Sequence, residues 1–92
     1  PSPLIGKQIP AFSLPRLDDP NATVSDADLR GQYSVVNVWA TWCSGCRQEH
    51  QILNQIAAQG QVPIYGLNWK DDAALSSEWL RQLGNPYTAV AF

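Results

Sequence analysis

The apolar positions of this chain fall into two kinds of run. Tyr33 to Ala40 (YSVVNVWA) is almost continuously apolar and rich in β-branched and aromatic residues. That pattern predicts a strand buried on both faces, as in a parallel sheet covered by helices. From about Ser44 to Gln59 the period lengthens: Cys46, His50, Leu53 and Ala57 share one stripe, Ile52 and Ile56 widen it, and Gly60 ends it, which predicts an amphipathic helix. Val62 to Leu67 is a second short apolar run. Asp71 to Leu83 returns to helical spacing through Leu75, Trp79, Leu80 and Leu83 and is stopped by Gly84-Asn85-Pro86; Thr88 to Phe92 then begins a third apolar run. Before this block, Ile9 to Leu14 alternates weakly, and prolines at 10 and 15 suit an edge strand. Asp18-Asp19-Pro20-Asn21 is a turn cluster. Val24 to Leu29 reads as one helical turn, with Ser25 or Asp26 as N-cap and Gly31 as stop. Strands alternating with helices imply an α/β fold with parallel strands, in the order β-β-α-β-α-β.

Composition narrows the setting. Ninety-two residues make a single domain, 1–92, and so short a chain buries only roughly 60–65% of its unfolded surface. An apolar fraction of 45% with four tryptophans indicates a globular chain. A net charge of −2 supplies no basic field for nucleic acid or anionic lipid. No apolar run approaches the roughly 20 residues that span a bilayer. The chain opens Pro1-Ser2-Pro3 without a methionine or a signal-peptide pattern, as a trimmed or processed product would.

The candidate chemistry lies at the junction of the first long strand and the helix, in NVWATWCSGCRQEH. A thiol at a helix N-terminus faces unpaired N–H groups and the positive end of the dipole, which stabilise the thiolate. Cys43 is therefore the expected nucleophile and Cys46 the resolving thiol. Three other readings stand beside this one. A structural staple closing so small a ring contributes only about 2 kcal/mol. A copper or zinc site could draw on Cys43, Cys46 and His50, completed by Glu49 or a partner chain, although structural zinc wants four good ligands. Two buried thiols could also simply pack. A C-x-x-C within a β-α-β pattern favours redox chemistry, with no cofactor.

Trp42-Cys43-Ser44-Gly45-Cys46, preceded by Val38-Trp39-Ala40, resembles the active-site segment of thioredoxin-fold proteins. More narrowly the chain is similar to the CcmG/DsbE family, the periplasmic thioredoxin-like proteins of cytochrome c maturation. The likeness is carried by Ile5-Gly6-Lys7, Pro10-Ala11-Phe12-Ser13-Leu14, Val36 to Cys43, Cys46-Arg47 with Glu49-His50, Gly66 to Asp72, and Leu83 to Tyr87. The resemblance implies a thioredoxin-like fold and a weakly reducing thiol–disulfide oxidoreductase, tethered to the inner membrane by an N-terminal segment this chain lacks. It implies a transmembrane thiol reductase as electron donor, and oxidised apocytochrome c or a maturation component as acceptor. Ser44 stands where the family usually has proline, which is pre-organised for a first helical turn. The family continues through a cis-proline loop, a hairpin and a last helix. The chain thus corresponds to the N-terminal two-thirds of the family domain, and the apolar edge TAVAF makes self-association an expectation. A non-catalytic, strand-exchanged fragment is the other alternative.

Neighbouring residues each carry a functional and a structural reading. Asn37 stands six before Cys43, where thioredoxin has a buried aspartate; an amide cannot titrate, and a structural role is favoured. Glu49, three beyond Cys46, is then the candidate acceptor of the Cys46 proton if burial raises its carboxyl. His50 is expected to pack partly buried, Arg47 to be a solvated charge and Trp39 to be core. Trp42 is expected to cover the rim and touch a docked peptide. Asp71 or Asp72 caps the following helix, which leaves Lys70-Asp71-Asp72 structural.

Overall fold

Three parallel strands form the frame that positions the cysteines. In the computed structural model, which describes residues 10–92, these are β3 (Val35–Trp39), β4 (Ile64–Asn68) and β5 (Ala89–Ala91), in the order β3-β4-β5. Helix α2 (Cys46–Gln59) crosses from β3 to β4, and α3 (Ala73–Leu83) crosses from β4 to β5. The short N-terminal strands β1 (Ser13–Pro15) and β2 (Thr23–Ser25) pair antiparallel, with Leu14 opposite Val24, and lead into the single turn α1 (Asp26–Leu29).

Alternation along the strands sorts their side chains onto two cores. Val35 and Trp39 share a face with Ile64 and Val90 through the registers Val35↔Ile64, Asn37↔Gly66 and Gly66↔Val90. Both helices pack there, through Cys46, Leu53, Ile56 and Ala57 of α2 and Trp79 and Leu80 of α3. On the opposite face Tyr65, Ala89 and Ala91 are covered by Phe12, Val24 and Leu29 from the hairpin and α1. Phe12 is fixed as its amide donates to Asp26 Oδ1 at 3.0 Å.

Local chemistry sets the helix limits. The Asp28 carboxylate accepts the Ser25 amide at 2.8 Å, closing a capping box on α1. Asp72 caps α3, its Oδ1 accepting the Leu75 amide at 3.0 Å. Gly60 ends α2 in the left-handed region, at φ 69°.

Several expectations shift. The strand expected from Ile9 begins at Ser13, and its first expected residue lies outside the described residues. Val24 belongs to a strand rather than to the helical turn. β3 is not buried on both faces: Val36 and Val38 are 46% and 57% exposed, because β3 lies at the edge of the sheet and the hairpin covers only β4 and β5. Tyr33 is exposed outside the strand. The central strand is β4. Ile52 and Leu75 are exposed rather than core, and on α3 the inward position is taken by Ser76. The TAVAF edge is not left bare around Ala91: among the described residues β5 is buried, and its outer side is bridged to Arg16, the Leu17 amide donating to Val90 O and the Phe92 amide to Pro15 O, both at 2.9 Å.

Candidate active site

β3 ends at Trp39, and the chain turns through Thr41–Gly45 before α2 begins at Cys46. The helix starts two residues later than the apolar period suggests, so Ser44 precedes the first turn and Cys46 is itself the first helical residue. Backbone bonds shape the turn: the Cys43 amide donates to Ala40 O and the Cys46 amide to Cys43 O, each at 3.2 Å. Cys43 and Cys46 are joined as a disulfide with Cα atoms 5.4 Å apart. Their access differs. Cys46 is 7% exposed, packed in the core, whereas Cys43 is half-buried at its margin. An incoming thiolate or disulfide meets Cys43 first.

Trp42 is 62% exposed beside Cys43, its indole N–H donating to the carbonyls of Trp69 (3.2 Å) and Lys70 (2.9 Å). Those bonds hold one edge of the ring against the β4–α3 loop and leave its apolar surface outward. Trp69 is also exposed, with the Lys70 ammonium 5.3 Å from its ring centroid.

Behind Cys46 stands an aromatic cluster. Trp39 stacks on Trp79 (centroids 5.0 Å) and on Tyr87 (5.7 Å), and His50 meets Trp79 edge-on at 4.6 Å. Room for the stack comes from Gly66, where a Cβ would lie 2.8 Å from Trp39 Nε1 and 3.1 Å from the Tyr87 ring. His50 is fully buried rather than partly so, and its Nε2–H donates to Gly84 O at 2.6 Å. Among the described residues no three His, Cys, Asp or Glu side chains gather as metal ligands would. The side chain of His50 is committed to the α3 terminus.

Asn37 bonds as a structural amide, Nδ2–H donating to the Tyr87 hydroxyl at 2.9 Å. Burial pushes the Tyr87 phenol up to about 12, the Asn37 bond opposing and the Glu49 charge adding to it. Glu49 lies in the first turn of α2 but is exposed, without the partial burial expected of it; Arg47 is exposed too. On the other side of the turn, Asp71 accepts the Thr41 amide at 2.6 Å and the Thr41 hydroxyl at 2.7 Å. Burial would raise this carboxyl, yet the Thr41, Asp72 and Asn68 donors outweigh it and hold it down at about 2. By sequence Asp71 reads only as a possible helix cap. The available signal was the doublet, because Asp72 alone supplies the cap.

A family model described as Redoxin matches residues 4–91. The chain belongs to the Redoxin family. This redoxin is 54% identical over 87 residues to the thiol:disulfide interchange protein DsbE of Pseudomonas aeruginosa, covering 95% of this chain and 48% of that protein. To DsbE of Escherichia coli K12 it is 48% identical over 92 residues, covering 99% of this chain and 49% of the relative. The chain therefore spans about half the length of these curated relatives. Among solved structures, a secreted thiol-disulfide isomerase from Corynebacterium glutamicum superimposes with a TM-score of 0.81 at 21% identity, over 91% of this chain and 54% of that one. The fold of this redoxin is thioredoxin-like.

Proposed function

We propose that this chain is a thiol–disulfide oxidoreductase, working as a disulfide reductase through Cys43 and Cys46. The carrying observation is the disulfide at the strand–helix junction with one accessible and one shielded sulfur. In the reduced form the Cys43 thiolate attacks a substrate disulfide and forms a mixed disulfide, releasing the first substrate sulfur as a thiol. Cys46, as its thiolate, then attacks the Cys43 sulfur, releasing the second substrate thiol and leaving the Cys43–Cys46 disulfide. The N-terminal end of α2 favours the thiolate at both steps. The Cys46 proton leaves through solvent, and the exposed Glu49, one turn along the same helix, is its proposed acceptor there as a solvated carboxylate rather than as a buried base. Trp42 supplies apolar contact to the docked polypeptide.

The DsbE relatives support protein thiols as the substrate class. The finer reading follows the resemblance: the periplasmic side of the inner membrane, a tether N-terminal to this chain, a transmembrane thiol reductase as donor, and apocytochrome c or a maturation component as acceptor. Residues 1–92 act as one domain within it.

Equilibration against graded dithiothreitol or glutathione ratios, with free thiols trapped by alkylation, tests the proposal. A reversible two-thiol transition towards thioredoxin's roughly −270 mV is expected of a reductant. A midpoint near about −120 mV makes the chain an oxidant instead, and the absence of any reversible transition ends the redox reading. Cys46→Ser should accumulate the mixed disulfide, whereas Cys43→Ser should form none.

A further inference from the structure

One carboxylate grips the disulfide turn from outside. The two bonds from Asp71 to Thr41 reach across 30 residues of sequence to a position two before Cys43. Its remaining bonds come from the Asp72 amide at 2.8 Å and the Asn68 side-chain amide at 3.3 Å. Asn68 is fixed in turn by the fully buried Ser76, whose hydroxyl donates to Asn68 Oδ1 at 3.0 Å. The carboxylate is thus anchored to β4 and α3 while its strongest bonds leave them. Helix α3 does not need it, since Asp72 accepts the Leu75 amide.

A second tie joins the same two segments. The indole of Trp42 reaches the carbonyls of Trp69 and Lys70, and Lys70 adopts φ 47°, left-handed and uncommon for a residue with a side chain. Such a conformation persists where the surroundings over-determine it. The Trp69 amide also donates to Trp39 O at 3.0 Å, which extends the contact back to the end of β3.

We infer that Asp71 is a positioning residue for the exchange proposed above: by holding the Thr41 amide and hydroxyl it fixes the turn so that the Cys43 sulfur stays at the N-terminal end of α2. Once the disulfide opens, the covalent tie between Cys43 and the helix is gone. The clamp then keeps the freed thiolate beside the unpaired N–H groups that stabilise it. Asp71 touches neither sulfur nor substrate, so it acts through Thr41.

The test is the pH dependence of Cys43 alkylation in the chemically reduced full chain, with the adduct mapped to Cys43. Thr41→Val removes the hydroxyl bond and keeps the carboxylate; Asp71→Ala removes both. Each should move the midpoint up and slow alkylation at pH 7 by about 3- to 10-fold, the span of a helix-terminus effect of up to one pKa unit. Thr41→Ser, which keeps the hydroxyl, should restore the wild-type profile. An unchanged midpoint in Thr41→Val, even with reduced thermal stability, overturns the inference. So does a lower midpoint in Asp71→Ala, the sign of a bare charge effect. If Asp71→Ala fails to fold, Thr41→Val decides alone. Alkylation does not require turnover, so a chain without a reversible two-thiol transition fails the exchange reading while the clamp is still judged by its midpoint.

Discussion

Replacing Gly66 with alanine tests how the wall behind the cysteines is built. Gly66 is buried in the central strand, bonded on one side to β3 and on the other to β5. Its φ is not left-handed, so alanine meets no backbone objection and gains about 0.4–1 kcal/mol by restricting the unfolded chain. Packing opposes that gain. The new methyl would stand 2.8 Å from Trp39 Nε1 and 3.1 Å from two carbons of the Tyr87 ring. Neither neighbour is a loose side-chain end: Trp39 is 2% and Tyr87 7% exposed, and the two rings are stacked. Overpacking of this kind costs about 1–3 kcal/mol, so the net loss should be about 1–2 kcal/mol. For a domain of this size that is a fall in Tm of about 5–15 °C, read by circular dichroism on the oxidised protein. Trp39→Phe removes the nearest atom, and the double variant should recover about 1 kcal/mol relative to the sum of the singles. A Gly66→Ala protein as stable as wild type, or a strictly additive cycle, would refute the account of the glycine as space for the aromatic stack.

Two further outcomes follow from the charges. Asp72→Ala should cost about 1 kcal/mol, the ordinary worth of an N-cap, seen as a lower urea midpoint without a change in m. Asp71 is depressed from 3.8 to about 2, which corresponds to about 1–2 kcal/mol after solvent screening of a half-buried group. Because the folded pKa is the lower one, that stability is present above about pH 4 and is lost as pH falls through about 2. Asp71→Asn should therefore differ most from wild type at neutral pH and converge with it towards pH 2. Acid titrations of the two proteins that run parallel would contradict this.

Much of the fold could be read from local patterns because local chemistry decides it: helices α2 and α3 stop at Gly60 and Gly84, and Asp72 begins the second. What was not legible depends on neighbours distant in sequence. YSVVNVWA is more apolar than VPIYGLN, yet the latter holds the centre, since centrality is set by which strands flank it. Ser76, in line with Leu80 and Leu83, faces inward where a polar residue gives no apolar signal, and Asn68 satisfies its buried hydroxyl; Leu75 is exposed. The strand β2 hides in TVS, where a cap signal masks three residues of pairing. At the site, C-x-x-C marked the sulfurs. The partners of Thr41 and Asn37, Asp71 and Tyr87, lie 30 and 50 residues away and carry no spacing signature.

The rear of α2 is fastened as firmly as its front. His50 bonds Gly84 O, and Asn54 Nδ2 donates to Leu83 O at 2.8 Å, so two successive inward turns of the helix are tied to the end of α3. The main chain already holds Cys43 and Cys46 one short turn apart through the Cys46 amide and Cys43 carbonyl. Little chain remains to be ordered when the sulfurs rejoin. In kinetic terms the second sulfur is present at the first at a very high effective concentration, far above any free thiol in solution. On the exchange proposed for Cys43 and Cys46, a molecule caught covalently on Cys43 should be displaced from within before an outside thiol arrives, so the proposed covalent complex should be short-lived.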